Sequence, residues 1–281
     1  MTMLSINTNV GALNASQSSY SVNKSMETSM ARIASGKRIN TGADDAAGLF
    51  ITKRMTTEIQ GLNQAVRNAA DAQALINTAE GTLDEVHTIL LRMRELAVQG
   101  SNGTYNTQDI RGIRAEIADL QLEINRIAAD TTWNNAGVVN GSLSSGATFQ
   151  IGADNTQTLT VSLRGVSTVN LSLATVTAGA DGGVLTTAAS MMLMVTALDT
   201  AISIISTDRG TYAAASNRLD HAIANMQNVA INLSTAKGRI EDADFAAETS
   251  NLARVQVLQQ AGMAMLAQAN AAKQNILSLF Q

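Results

Sequence analysis

The residues that decide the fold of this 281-residue chain lie between positions 65 and 97, which read AVRNAADAQALINTAEGTLDEVHTILLRMRELA. Alternating steps of four and three residues from position 65 meet an apolar side chain every time: Ala65, Ala69, Ala72, Ile76, Ala79, Leu83, Val86, Leu90, Met93 and Ala97. A period of 3.5 residues is the repeat of helices that pack side by side as coiled coils. The stretch therefore predicts a long helix with one continuous buried face.

Two further stretches of the chain carry the same spacing. One runs from Ile110 to Ile127 and the other from Met191 to Ile240. The three runs predict that helices over 65–97, 108–128 and 191–240 pack together, with the last as the longest. At about 1.5 Å per residue, a helix over 191–240 would extend about 75 Å. We therefore expect a mainly α fold, a long coiled-coil-like helical rod.

The composition excludes several classes of protein. The chain has no Pro and no Cys, two His, and 19 Lys and Arg against 23 Asp and Glu. Uninterrupted helices are favoured, while disulfides, cysteine metal sites and a nucleic-acid footprint are excluded. We expect no metal, no cofactor and no nucleic-acid partner. Because no run of 18 apolar residues occurs and the start lacks a basic segment before an apolar one, we also expect neither membrane insertion nor a classical cleaved signal peptide.

No catalytic motif is present in the sequence. It lacks GxSxG, a P-loop, GxGxxG after a strand, and HExxH, so we expect no enzyme activity. The adjacent carboxylates Asp44 and Asp45 are interpreted as a turn or cap before a helix that starts near Ala46. The acidic cluster of Glu241, Asp242 and Asp244 is interpreted as the cap of the last helix.

The segment 141–190 differs from the rest of the chain. It carries only three charged residues and is rich in Gly, Ser and Thr. Apolar and polar residues alternate in 159–163 and again in 169–173, which predicts short strands. We expect a small β subdomain in the middle of the chain, at the turn-around of the rod.

Both ends of the chain are amphipathic, but their apolar stripes are narrow. One stripe begins at Ile6, Val10 and Leu13, and the other comprises Val255, Leu258, Met265, Ile276 and Leu279. Because a lone helix of this kind leaves its apolar face in water, it is marginal by itself. We expect about 1–45 and 245–281 to stay largely disordered in the isolated chain, without a partner until subunits meet.

The two ends resemble bacterial flagellin. The resemblance covers roughly 1–140 and 191–281, and its motifs occur in order: Ala-Arg-Ile-Ala-Ser-Gly-Lys-Arg-Ile-Asn at 31–40, Ala-Asp-Asp-Ala-Ala-Gly-Leu at 43–49, Arg-Met-Arg-Glu-Leu at 92–96, Asn-Arg-Leu-Asp at 217–220 and Arg-Ile-Glu-Asp-Ala-Asp-Phe-Ala at 239–246. The chain departs from the family in having Trp133-Asn134-Asn135 where Phe-Asn-Gly is usual. Its central variable region is also very short.

The resemblance implies a division into a conserved region 1–140, a variable region 141–190 and a conserved region 191–281. It further implies a structural subunit that leaves the cell by type III export, without a cleaved signal peptide, and self-assembles into the extracellular flagellar filament for motility. The helices of 1–33 and 250–281 would pair in an inner tube, and the longer helices would surround them. Implied partners are further copies of the chain, an export chaperone, and hook-associated and filament cap proteins. The alternatives are the hook–filament junction protein, which shares such ends, and a signalling coiled coil.

An innate receptor of the Toll-like class is a further partner that the resemblance implies. In the family this receptor reads the helix face that bears the Arg-x-Arg-Glu-Leu motif. The matching residues here are Arg92 and Leu96, with Glu116 on the next helix. They would combine a planar cation, an apolar knob and a carboxylate on one surface.

Overall fold

The computed structural model describes residues 8–173 and 187–278, and these are mainly α-helical. They form five helices, α1 (Val10–Ser35), α2 (Ala46–Gly100), α3 (Thr107–Asp130), α4 (Ala188–Glu241) and α5 (Phe245–Ser278). Four short strands lie between α3 and α4: β1 (Thr132–Trp133), β2 (Ala136–Gly137), β3 (Ala147–Gln150) and β4 (Thr158–Val161). The expected fold class is confirmed. The expectation that the helix containing 191–240 is the longest is wrong, since α2 has 55 residues and α4 has 54.

The chain folds as two compact units, one of residues 60–230 and the other of 1–59 with 231–281. Each unit therefore draws on both halves of the chain. The predicted boundaries at 140 and 190 come from the sequence motifs, and they do not coincide with the limits of the two units. The hairpin β1–β2, for example, forms just before residue 141.

The core of the unit 60–230 follows the heptad spacing. All ten apolar positions counted along α2 from Ala65 to Ala97 are buried, none of them more than 1% exposed. On α3 the buried positions include Ile110, Ile117 and Ile124, again seven residues apart. The buried residues of α4 repeat in the same way at Met191, Leu198, Ile205, Tyr212, Leu219 and Met226. Each of the three helices thus buries one heptad face, and ion pairs join α2 to α3 and to α4, as the predicted packing requires. Residues 231–240 of the predicted run belong to the other unit.

Polar pairs on the surface of this unit fix the direction of α4 against α2. Arg94 pairs with Asp199, Arg209 with Asp84, and the Nε2 atom of Gln73 donates to Asp220 at 2.9 Å. Residue numbers rise along one helix as they fall along the other, so α2 and α4 are antiparallel.

Side-chain caps account for the helix starts. Asp45 Oδ1 accepts a bond from the Gly48 amide at 2.9 Å at the start of α2, as the interpretation of Asp44 and Asp45 required. Asn106 and Asp109 form a reciprocal capping box at the start of α3. Asp244 accepts bonds from the Ala246 and Ala247 amides before α5. These carboxylates satisfy backbone donors that a helix leaves unpaired in its first turn.

The β region consists of two antiparallel hairpins. In the first, Asn134 and Asn135 form a two-residue loop in which both residues have positive φ. That conformation matches a type I′ turn, which suits the twist of a hairpin and which Asn tolerates. In the second, Ala147–Gln150 pairs with Thr158–Val161, so a strand forms at the start of the alternating stretch 159–163.

The second predicted strand, 169–173, is wrong. Those residues form turns in which Ser172 has a φ of 59°. The Leu173 amide donates to the Thr168 carbonyl at 2.8 Å, and Asn125 on α3 accepts bonds from the amide and hydroxyl of Thr168. The turn buries Leu171 and Leu173, so the alternation reflects a folded-back segment and not a strand.

The β region also lies elsewhere than expected. Asn68 on α2 donates to the Gln150 carbonyl at 3.2 Å, and the Arg164 amide donates to the Tyr212 hydroxyl of α4 at 3.0 Å. These contacts place the hairpin β3–β4 and its following segment against the sides of α2 and α4. The turn-around is instead formed by 101–106 and the start of α4, where Gly100 lies against Met191.

Candidate assembly surface

In the unit of 1–59 and 231–281, helices α1 and α5 pack against each other in antiparallel fashion. The less exposed positions recur with heptad spacing on both helices. On α1 they are Ala12, Ala15, Ser19, Val22, Met26, Ser29 and Ile33, and on α5 they are Glu248, Leu252, Val255, Gln259, Gly262, Leu266 and Ala269. We refer to these fourteen positions as the seam. The expectation that the terminal helices lack a partner within one chain is therefore wrong.

Polar bonds tie the two helices together at one end and at the middle of the seam. The Asn9 side chain caps α1 by accepting from the Ala12 amide, and its Nδ2 atom donates to the Ala269 carbonyl at 3.1 Å. The Nε2 atom of Gln259 donates to Asn23 Oδ1 at 2.8 Å. Because much of the α1 side of the seam is Ala and Ser, these bonds supply specificity that the apolar contacts lack.

Large apolar side chains lie off the seam and face away from it. Val10, Leu13, Leu258 and Met265 are each 50–65% exposed, and Tyr20, Met30, Val257 and Met263 are exposed as well. We refer to these eight side chains as the outer flanks. Isolated apolar residues are common on protein surfaces, but a repeated set along a helix pair marks a contact surface.

The structure separates the residues of the predicted terminal stripes. Val255 lies in the seam, whereas Val10, Leu13, Leu258 and Met265 lie on the outer flanks. Ile6 and Leu279 lie outside the described residues, as does the side chain of Ile276. The predicted α5 stripe shares Val255 with the seam. The other large apolar residues of the seam on α5 are Leu252 and Leu266, and not Leu258 and Met265. The missed signal is the 3.5-residue spacing of small residues in α1.

An ion-pair cluster joins the loop after α1 to the end of α4. Lys37 Nζ lies 2.5 Å from Glu241 Oε1, and Lys237 approaches the other oxygen at 3.6 Å. Burial alone would raise the pKa of Glu241, but the hydrogen bond from Lys37 and the charge of Lys237 hold that pKa below its ordinary value. The role of Glu241 is therefore an ion pair, and of its acidic cluster it is Asp244 that caps α5.

The loop before α2 is fixed by a second carboxylate. Asp44 Oδ2 accepts bonds from the Thr41 amide, the Thr41 hydroxyl and the Asn40 amide at 2.9–3.2 Å. The bonds from Thr41 are the main reason that the pKa of Asp44 lies below its ordinary value. Arg32 lies between Asp44 and Glu248, 3.9 Å from each. The sequence motifs at 31–49 thus build one hydrogen-bonded turn.

On the unit 60–230, Arg92 and Glu116 meet on the surface. The Nε and Nη2 atoms of Arg92 donate to Glu116 Oε1 at 3.2 and 2.9 Å, and Nη1 donates to Glu95 at 3.2 Å. The hydrogen bonds that Arg92 donates to Glu116 and Glu95 raise the pKa of Arg92. Leu96 does not join them, since its side chain is buried at 3% exposure. The expectation of an exposed apolar knob at Leu96 is wrong because the residue belongs to the core face of α2.

The described residues were compared with the requirements of a metal site and of a membrane-spanning helix. In the ranges 8–173 and 187–278, no group of three or more His, Cys, Asp or Glu is arranged to hold a metal ion. By length and composition alone, one helix in those ranges, α4, could cross a membrane. That is weak evidence, because core helices pass the same criterion, and α4 places Met191, Leu198 and Ile205 in the core.

Comparisons with known proteins agree with the helical architecture. The family model described as "Bacterial flagellin N-terminal helical region" matches residues 6–144, and "Bacterial flagellin C-terminal helical region" matches 195–280. The chain is 38% identical over 276 residues to a flagellin of Halalkalibacterium halodurans, with 98% of this chain and 99% of the relative covered. It is 37% identical to a flagellin of Bacillus subtilis over 302 residues, with the same coverage.

A third relative is named for the structure that it forms. The "Flagellar filament 33 kDa core protein" of Treponema phagedenis is 34% identical over 294 residues, with 98% of this chain and 99% of the relative covered. The two family models match the chain on either side of 145–194, and all three relatives align over nearly its whole length. The chain therefore belongs to the bacterial flagellin family and is a structural subunit of the flagellar filament.

Proposed function

We propose that the outer flanks of α1 and α5 join this filament subunit to its neighbours. One observation carries the proposal: the seam within the chain uses many small and polar residues, while Val10, Leu13, Leu258 and Met265 remain exposed. Burying a large aliphatic side chain contributes about 1.5–3 kcal/mol. Since the four side chains are 50–65% exposed, burying their remaining surface would contribute about 3.5–7 kcal/mol in all, which overlaps the lower part of the estimated association cost of about 4–15 kcal/mol.

The proposal is tested by placing charge on one flank. A variant with Leu258→Asp and Met265→Asp leaves the seam intact and should remain folded but fail to form filaments. Asn225→Asp with Asn228→Asp is the matched control, since both asparagines are exposed on α4 and neither belongs to the outer flanks. The control should polymerise, as judged by sedimentation and electron microscopy. Filaments of the flank variant at the wild-type critical concentration would refute the proposal.

The role in the filament is proposed to be mechanical and not catalytic. The carboxylates that could suggest acid–base chemistry already accept bonds from backbone amides, as Asp44, Asp45 and Asp244 do. Their arrangement stabilises turns and helix starts. A filament component lies outside the cell. We propose that the subunit reaches that location by type III export with its N-terminal residues retained. Mass spectrometry of the N-terminal peptide from purified filaments tests this.

We also propose that flagellar partners bind the outer flanks before assembly. An exposed apolar surface of this kind favours association in the cytoplasm, and an export chaperone that covered α5 would prevent it. Hook-associated and cap proteins would contact the same surface at the two ends of the filament. If so, Leu258→Asp with Met265→Asp should weaken binding of the purified chaperone, while the Asn225 and Asn228 control should not.

A Toll-like receptor is the proposed host partner, through the surface of Arg92 and Glu116. Support comes from the geometry: the guanidinium is held by two carboxylates yet is about half exposed. A planar cation fixed in this way suits an interface because little side-chain freedom is lost on binding. Leu96 would contribute by holding the helix face in place and not by contact.

A further inference from the structure

The sulfur atoms of this chain are all thioethers, since it has twelve Met and no Cys. Met26 and Met55 are half-buried, and eight other described methionines fall into a buried set and an exposed set. Met93, Met191, Met194 and Met226 are buried in the core of the unit 60–230, none more than 6% exposed. Met30, Met192, Met263 and Met265 are 47–67% exposed. An oxidant in solution therefore reaches the second set much more readily than the first.

Three of the four exposed methionines lie on the terminal helix pair. Met30 is on α1 and Met263 and Met265 are on α5, all of them on the outer flanks. The fourth, Met192, lies on α4 in the other unit. The oxidisable side chains thus coincide with the surface proposed to join subunits, while those that stabilise the core are protected.

We propose that Met30, Met263 and Met265 are peroxide-oxidation sites, and that their conversion to sulfoxide prevents a folded subunit from joining the filament. The inference rests on the proposed function of the outer flanks. Hydrogen peroxide supplies the oxidant. Because the subunit lies outside the cell, hydrogen peroxide in the medium reaches it directly.

The reaction is a two-electron oxygen transfer. A sulfur lone pair attacks one oxygen of hydrogen peroxide, the O–O bond breaks, and an S–O bond forms. The leaving hydroxide takes the remaining peroxide proton and becomes water. The thioether is oxidised to the sulfoxide and the peroxide is reduced.

The product changes the flank and not the core. A sulfoxide is polar and accepts hydrogen bonds, so burying it against a neighbouring subunit is disfavoured where burying a thioether is favourable. The core methionines stay reduced, and the helices stay folded. A subunit already inside a filament has its flank covered and should react more slowly than a free one.

The experiment treats the full-length subunit with hydrogen peroxide, removes the peroxide with catalase, and then induces polymerisation. Peptide mass spectrometry should place an added oxygen on Met30, Met263, Met265 and Met192, and not on the four core methionines. Circular dichroism should be unchanged. The critical concentration should rise about tenfold or more, as a change of that size corresponds to one lost apolar contact.

Leucine substitutions supply the controls. Met30→Leu, Met263→Leu and Met265→Leu together keep the flank apolar at similar volume and should polymerise equally before and after peroxide. Met192→Leu alone should remain as sensitive as wild type. Equal loss of polymerisation in the triple variant, or normal polymerisation of oxidised wild type, would overturn the proposal.

A variant-free measurement guards against a triple variant that assembles poorly. Partly oxidised wild type is polymerised and separated, and the sulfoxide at each methionine is compared between pellet and supernatant. Sulfoxide at Met30, Met263 and Met265 should be depleted in the pellet, whereas sulfoxide at Met192 should be equal in both; equal partition at all four would refute the idea. If Leu258→Asp with Met265→Asp still polymerises, the proposed assembly surface itself is wrong. If that variant fails while oxidised wild type assembles, only the oxidation proposal fails.

Discussion

Lys37 and Glu241, which are 204 positions apart in sequence, form an ion pair of 2.5 Å where the loop after α1 meets the end of α4. Backbone bonds accompany the pair, because the Arg38 amide donates to the Glu241 carbonyl at 2.7 Å and the Ala243 amide to the Gly36 carbonyl at 3.0 Å. The Glu241 side chain is only 9% exposed. The pair therefore connects the two helical ends through a site with little access to water.

The first prediction concerns pH at this site. Since the pKa of Glu241 is lower in the folded chain than its ordinary value, its contribution to stability is fully present above that ordinary value. The contribution is lost as pH falls through the lower, folded value. The protection factors of the Arg38 and Ala243 amides, which correct for the slower intrinsic hydrogen exchange in acid, should thus fall as pH is lowered. Glu241→Gln should reduce this acid response, and an unchanged response would show that other groups control the site.

The second prediction concerns the three-helix core. Ile117 and Leu219 are at most 1% exposed, so Ile117→Asp or Leu219→Asp places a carboxylate in an apolar interior. Each should lower the free energy of unfolding by several kcal/mol, about 3 or more. Leu122→Asp is the control on α3, because Leu122 is exposed and should change stability by about 0.5 kcal/mol or less. Thermal melts of the three variants decide the matter.

The third prediction concerns the terminal pair. Deleting 255–281 removes most of the α5 side of the seam, and α1 then lacks the partner that it has in the intact chain. The truncated chain should keep the folded unit 60–230, lose helix content from α1 in addition to the deleted residues, and form no filaments. Circular dichroism and electron microscopy measure both outcomes. A helix content reduced only by the deleted residues would show that α1 is stable alone.

The fourth prediction concerns the receptor. Arg92→Ala removes the cation from the Glu95 and Glu116 carboxylates and should reduce signalling by the monomer about tenfold or more, as interface arginines often do. Arg126→Ala is a matched control, since Arg126 is equally exposed and is also held by two carboxylates, Glu123 and Asp130. It should signal like wild type. Equal signalling by all three proteins would exclude the Arg92 surface.

The sequence predicts the long helices well because their periodicity is carried by strongly apolar side chains. Leu83, Val86 and Leu90 identify one face of α2 as the face to be buried, and all three are completely buried in the structure. The terminal helices are harder because Ala12, Ala15 and Ser19 carry little hydrophobic signal. Larger residues such as Leu258 dominate the hydrophobic pattern and are therefore predicted to be buried, although they lie beside the seam.

Long-range polar contacts account for most of the remaining differences. The alternation in 169–173 reads as a strand, but Thr168 bonds to Asn125, more than forty residues earlier, and this contact favours a turn. Likewise, an acidic residue before a helix suggests a cap, and Asp244 is one. Nothing within the local sequence of Glu241 indicates that Lys37 will lie against it.

The seam between α1 and α5 has a consequence for how the two helices can move along each other. Small side chains such as Ala12 and Ala15 form shallow knobs, so a translation of seven residues, about 10.5 Å at 1.5 Å per residue, presents an almost equivalent surface. The polar contacts of Asn9, Asn23 and Arg32 with α5 distinguish one register from the next. These three side chains therefore fix the register in which the two helices pack.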